Sequence, residues 1–187
     1  MTRVLLAAVL GGIAMFVWGS IGHVLTPIGE AGFRNLPGEA PVLDALRANV
    51  PEDGMYFFPG MDERAKTAEG HAEWQRRYEA GPSGLLIVHP HGEQSINARL
   101  LLVELFSNIL AAGLAAWAAT HARTYARRLA LVTVFGIAAW TSIEISYWNW
   151  YGFPGVYTVA QLVDQAVGFF VAGLVIAAMV RPSAAAA

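Results

Sequence analysis

Polar and apolar positions divide the chain into four long apolar runs and one polar interval. The runs cover roughly Val4–Leu25, Leu100–Ala119, Leu129–Trp148 and Val159–Val180. A helix needs about 20 residues to cross the roughly 30 Å hydrocarbon core of a bilayer, and each run is that long. The pattern predicts a mainly α membrane protein with four transmembrane helices and a small α+β outward domain between the first two. The expected division is helix 1 over 1–25, the outward domain over 26–98, and helices 2–4 with a disordered tail over 99–187. Arg3 ahead of an apolar run imitates a secretory signal peptide. The run is long, however, and lacks a small-x-small cleavage site before a polar stretch, so it reads as an uncleaved signal anchor.

The polar interval carries folding signals of its own. Pro41 with Val42, Leu43, Leu46 and Val50 predicts a short amphipathic helix with proline in its first turn. Met55–Phe58 and Leu85–Val88 read as strands, the first bounded by Pro51-Glu52-Asp53-Gly54 and Pro59-Gly60. Between them Asp62 is placed to cap a polar helix ending near Ala80, before Gly81-Pro82. So small a core is marginal alone. Tyr56, Phe57, Phe58 and Trp74 are therefore expected to rest on the outer ends of the spans.

Composition agrees with the pattern: 56% of residues are hydrophobic and 14% charged, with a mean hydropathy of +0.45. These values belong to the membrane class. The net charge of -2 conceals a strong bias. Arg3, Arg123, Arg127, Arg128 and Arg181 mark one set of helix ends, while 26–98 is rich in acids. Short basic loops stay in the cytoplasm, which places both termini and the 120–128 loop inside. Residues 26–98 and the Asn149–Thr158 turn then face the periplasm. The chain has no cysteine, which excludes disulfide and thiol chemistry. It shows no basic, aromatic surface for nucleic acid. Inverted repeats and broken helices are also missing, so a small transporter has little support.

Candidate chemistry lies in the spans, where ionisable residues are costly and mark a site by default. His23, Glu104, Asn108, Glu144, Asp164 and Gln165 all fall near the outer ends of their helices. Helix rise puts Glu104 and Asp164 each roughly 6 Å inside its span. Glu104 and Asn108 share a face by i, i+4 spacing, continued by Ala111 and Ala115. Gln161, Asp164, Gln165, Gly168 and Ala172 form a matching face, as do Gly12, Gly19 and His23. Small residues let helices approach closely, so these faces should turn inward and gather the polar groups into one layer.

Three acids and an imidazole together call for a proton, a cation or Arg99 to compensate. His23, Glu104, Glu144 and Asp164, joined from above by His89 and His91, are the candidate ligands for a divalent metal. Such ligands suit Zn, Mn or Fe better than a cuprous ion. No HExxH motif and no His pair at i, i+4 supports this. The competing reading is structural: interhelical hydrogen bonds in membranes are worth about 0.6 kcal/mol on average. Tyr147, Trp148, Trp150, Tyr151 and Phe153 form an aromatic interface at the outer membrane surface. It would also suit a partner subunit, a quinone or a carotenoid-like pigment. His121 with Arg123, Arg127 and Arg128 is a cytoplasmic anchor for anionic headgroups.

Several segments carry a resemblance: Trp18-Gly-Ser-Ile-Gly-His23, Pro27-Ile-Gly-Glu30-Ala-Gly, Tyr56-Phe-Phe-Pro59, Trp148-Asn-Trp-Tyr-Gly-Phe-Pro154 and Leu162-Val-Asp164-Gln165. On these the chain resembles a family of small bacterial four-helix inner-membrane proteins. The resemblance implies the bacterial inner (cytoplasmic) membrane and carries over no activity or cofactor. Two functional readings result. One is a non-catalytic accessory, assembly or peripheral subunit of a larger membrane complex, with the bilayer and other membrane subunits as partners. The alternative is a metal- or proton-binding membrane protein, or an enzyme, using the outer-leaflet carboxylate and histidine cluster.

Overall fold

The computed structural model describes residues 1–61 and 63–182. The chain forms two units: the long helices with their connections (Met1–Phe33 and from Ile96 onward), and a smaller unit, Arg34–Ser95. The long helices are α1 (Thr2–Leu25), α4 (Ala98–Ala119), α5 (Tyr125–Tyr151) and α6 (Gly155–Met179). All four are long and apolar enough to cross a membrane, so this is a multi-pass membrane protein in a lipid bilayer. The smaller unit contains α2 (Glu39–Asn49), β1 (Gly54–Phe58), α3 (Ala68–Ala80) and β2 (Gly84–Val88), with a 3-10 turn at Glu63–Lys66.

Within the larger unit, α1 packs between α4 and α6, and α6 packs in turn on α5. Protein-buried positions concentrate in the half of the bundle next to the 120–124 loop: 7–15 on α1, 112–119 on α4, 132 and 136 on α5, and 168–177 on α6. Beyond these, only Gly22 and Thr158 in the four helices are buried. Lipid competes for apolar surface as well as protein does, so such helices associate through close van der Waals packing of small residues. Ala112, Ala115, Ala116, Ala119 and Ala172 form much of this core. Gly12 permits a close approach of α1 to α4, because a Cβ there would lie 2.5 Å from the Ile109 Cα. On the other side of α6, a Cβ at Gly136 would lie 2.5 Å from the Gln165 carbonyl oxygen. Polar ties hold α5 on α6: the Trp140 Nε1–H donates to the Thr158 carbonyl at 2.7 Å, and an Arg128 guanidinium N–H donates to the Val180 carbonyl.

Local signals set the helix ends. Thr124 accepts a hydrogen bond from the Arg127 amide at 3.3 Å, a side-chain cap that starts α5 four residues before the predicted Leu129. The α5–α6 connection shrinks to Gly152–Pro154 and turns on Gly152, whose φ of 70° is the left-handed conformation that glycine adopts without strain. Residues 26–33, predicted to belong with the outward domain, group with the long helices. The Thr26 hydroxyl donates to the Gly22 carbonyl at 2.6 Å and accepts from the Ile28 amide at 3.2 Å. Phe33 then meets the Tyr157 ring edge-on at 6.1 Å.

In the smaller unit, β1 and β2 are antiparallel, with Gly54 opposite Val88 and Phe58 opposite Gly84. Phe57 stacks on Tyr78 of α3 at 6.0 Å, and the Trp74 Nε1–H donates to the Pro59 carbonyl at 2.9 Å. These aromatic residues contact one another within the unit, with Phe57 and Tyr78 still exposed. Asp62, the predicted cap, lies outside the described residues. Instead α3 starts at Ala68, where Thr67 Oγ1 accepts from the Gly70 amide at 3.1 Å. Residues 183–187 of the tail also lie outside the described set.

Candidate functional site

Where the close packing ends, α1, α4 and α6 leave a cavity of about 380 Å³. From α1 it is lined by Met15, Phe16, Trp18, Gly19, Ser20, His23 and Val24. Leu101, Glu104 and Asn108 face it from α4, and Asp164, Gln165 and Gly168 from α6. Its wall is held in place by specific contacts. The Trp18 Nε1–H donates to the Asp164 backbone carbonyl at 3.2 Å, and its ring lies over Gly168, 3.4 Å from where a Cβ would sit. The Asn108 side-chain amide donates to Glu104 Oε1 at 3.1 Å, as the i, i+4 spacing requires. His23 Nδ1 is 3.1 Å from the Gly19 carbonyl. A carbonyl only accepts, so Nδ1 carries the proton and a neutral ring keeps Nε2 as an acceptor.

Asp164 differs from its neighbours. Its Oδ1 is closed off from solvent and has no hydrogen-bond partner. It faces the bare backbone of Gly22, 3.3 Å from where a Cβ would be. A buried acceptor without a partner costs about 1–3 kcal/mol, more when charged. No ion pair relieves it: among the described residues, none joins Asp164 to a cation or Glu104 to Arg99.

Five of the six polar residues singled out from the sequence therefore meet in one cavity: His23, Glu104, Asn108, Asp164 and Gln165. Glu144 is not part of the lining. It belongs to α5, which packs on α6 and touches α4 only sparsely. Helix rise fixes the depth of a residue but not the neighbour toward which it points. Glu144 Oε2 is likewise buried without a partner.

His89 and His91 belong to the smaller unit. There His89 Nδ1 lies 3.6 Å from Asp53 Oδ2 and Nε2 lies 3.9 Å from Glu93 Oε2. The two acids sit at opposite ring nitrogens and do not converge on one point. Among the described residues, no three His, Asp or Glu side chains form a group able to hold a metal ion.

The sequence reading missed the apolar and aromatic walls, Met15, Phe16, Trp18, Val24 and Leu101. The signal was present on α1, where Gly12, Met15, Gly19 and Gly22 recur at three- and four-residue spacing and define the inward face. Tyr147, Tyr151 and Phe153 of the predicted aromatic interface do cluster, with Phe153 5.2 Å from Tyr147 and 5.4 Å from Tyr157. Trp148 and Trp150 project outward, 51% and 74% exposed.

Chemically the cavity offers acceptors, two carboxylates and an aromatic wall, with no Lys or Arg in its lining. It shows no assembled nucleophile. The Ser20 hydroxyl donates to the Phe16 carbonyl at 2.9 Å, and the His23 Nδ1 proton is engaged by Gly19. Comparison with family models, curated proteins and solved structures finds no match that would assign the chain to a family.

Proposed function

We propose that this multi-pass membrane protein acts by binding rather than by catalysis, and that the cavity between α1, α4 and α6 holds a small ligand. The supporting observation is the cavity itself: about 380 Å³, with mostly apolar walls and a lining from three helices that includes His23, Glu104, Asn108, Asp164 and Gln165. Ligand sites are typically concave and apolar, with a few convergent polar groups and a volume of about 300–1,000 Å³. The arginine bias supports an orientation with both termini cytoplasmic. Arg34–Ser95 is then periplasmic and the cavity lies in the outer leaflet.

The test uses Gly19, which lines the cavity and where an added Cβ meets no atom within 4 Å. Gly19→Leu should fill the space without disturbing the helices. Native mass spectrometry of protein extracted from its own membrane should show an adduct of constant mass on the wild type and none on the variant. Identical spectra for the two would overturn the proposal.

A second reading, an accessory subunit of a larger membrane complex, is favoured by the outward-projecting Trp148 and Trp150. Affinity purification from native membranes should then recover a stoichiometric membrane partner that Trp148→Ala with Trp150→Ala releases. A monodisperse protein that elutes alone contradicts it.

A further inference from the structure

Resting on the binding reading, we propose that the cavity's ligand is a cationic amphiphile, a protonated amine on an apolar body without a phosphate. The first argument is charge. Glu104 and Asp164 face the cavity and no Lys or Arg lines it. Asn108 donates to one Glu104 oxygen, and among the described residues no basic side chain pairs with either acid. An ammonium brings three donors and no acceptor, which complements two carboxylates without a basic partner. A phosphate or carboxylate headgroup would bring more negative charge against both acids, with no Lys or Arg in the lining to oppose it.

The second argument is the wall. Trp18 is anchored through Nε1 and lies against Gly168, so its ring forms a fixed surface. Ammonium groups are attracted to such aromatic faces, most strongly where water is scarce. The third is length. The α1 lining runs from Met15 to Val24, and Met15 to His23 spans about 12 Å at the rise of an α-helix. On α1 the deep end is apolar, at Met15 and Phe16, and His23 lies at the other end beside the helix terminus, while Asn108 of α4 adds a polar group at the deep level, next to Ile109 opposite Gly12. A molecule with one charged end can lay an apolar body along the α1 side of the cavity. Glu104, Leu101, Ser20 and His23 are exposed at the protein surface within or beside the spans. The cavity therefore opens near the membrane interface, where an amphiphile concentrates and a free soluble amine does not.

The test measures binding of dodecylamine, dodecanol and ethylamine to the full chain purified in maltoside, through the fluorescence change of the tryptophans. A charge-assisted hydrogen bond is worth about 1.5–3 kcal/mol, or roughly 10- to 100-fold in affinity. Dodecylamine should therefore bind at least about 10-fold tighter than either control. Asp164→Asn and Glu104→Gln should each lose most of that preference, and Gly19→Leu should lose binding altogether. Two separate acid variants keep the test decisive should one fail to fold as a monodisperse species. If dodecanol binds as well as dodecylamine, and Gly19→Leu abolishes both, the cation is refuted while the binding function stands. Ethylamine binding as tightly as dodecylamine refutes the amphiphile. If dodecylamine binds Gly19→Leu as it binds the wild type, the cavity is not its site, and both proposals fail.

Discussion

Gly12→Ala tests how tightly the half of the bundle next to the 120–124 loop is closed. A Cβ at this position would lie 2.5 Å from the Ile109 Cα, 2.6 Å from its backbone nitrogen and 2.7 Å from its Cγ1. Carbon atoms pack at about 3.5–4.0 Å, so the new methyl is roughly 1 Å too close. Two of the three opposing atoms are backbone and cannot rotate away, so α1 must retreat from α4. That displacement reaches Gly11, whose Cβ position is 3.1 Å from Ile176 and 3.4 Å from Ala112. A gap of 0.5–1 Å forfeits about a quarter to a half of each contact's attraction. Overpacking of this kind costs about 1–3 kcal/mol, against which the helical preference of Ala over Gly returns about 0.8–1.0 kcal/mol.

Two turns along the same helix, Gly19→Ala meets nothing within 4 Å and should be neutral or stabilising by up to about 1 kcal/mol. Reversible unfolding in mixed maltoside–dodecyl sulfate micelles, followed by tryptophan fluorescence, compares the two variants directly. Gly12→Ala should be the less stable by about 2 kcal/mol, the overpacking cost that distinguishes otherwise identical substitutions. Equal stabilities would refute the argument that α1 and α4 are in backbone contact there while the cavity half is open.

Other substitutions test separate links. Gly136→Ala should loosen α5 from α6, because its Cβ would lie 2.5 Å from the Gln165 carbonyl oxygen. A loss of about 1–3 kcal/mol is expected in the same unfolding assay. Trp18→Phe keeps an aromatic wall but removes the donor to the Asp164 carbonyl. It should cost about 0.5–1.5 kcal/mol, whereas Phe16→Leu should leave stability nearly unchanged. Thr67→Ala removes the cap of α3 and should destabilise the smaller unit by about 1 kcal/mol. Amide hydrogen exchange at Ala68–Ala80 should rise in that variant while exchange in α1 and α4 stays unchanged.

The spans were legible because apolar length alone determines them, and the expected and observed helices overlap almost completely. Helix ends were less so: the start of α5 depends on one Thr124 hydroxyl, and the start of α3 on Thr67. The site was legible as far as depth and helix face allowed, which sufficed for His23, Glu104, Asn108, Asp164 and Gln165. Glu144 shows where that reasoning stops. Its depth follows from counting residues, but its surroundings follow from α5 packing on α6, a pairing that no periodicity in α5 encodes. Residues 26–33 show the same limit from another direction. Their irregular, glycine-rich sequence reads as loop, yet the Thr26 hydrogen bonds and the Phe33–Tyr157 contact fold them onto the helices.

The central claim is that α1, α4 and α6 are sealed at one end and form a reachable, partly polar cavity at the other. Because the chain has no cysteine, single replacements report their own surroundings when a water-soluble, membrane-impermeant maleimide is added to the outer face of sealed membranes. Gly19→Cys should be alkylated rapidly. Ala115→Cys, at a position 0% exposed in the sealed half, and Val17→Cys, 49% exposed but facing lipid in the same span, should react slowly or not at all. Gly19→Cys reacting no faster than the other two would contradict the account.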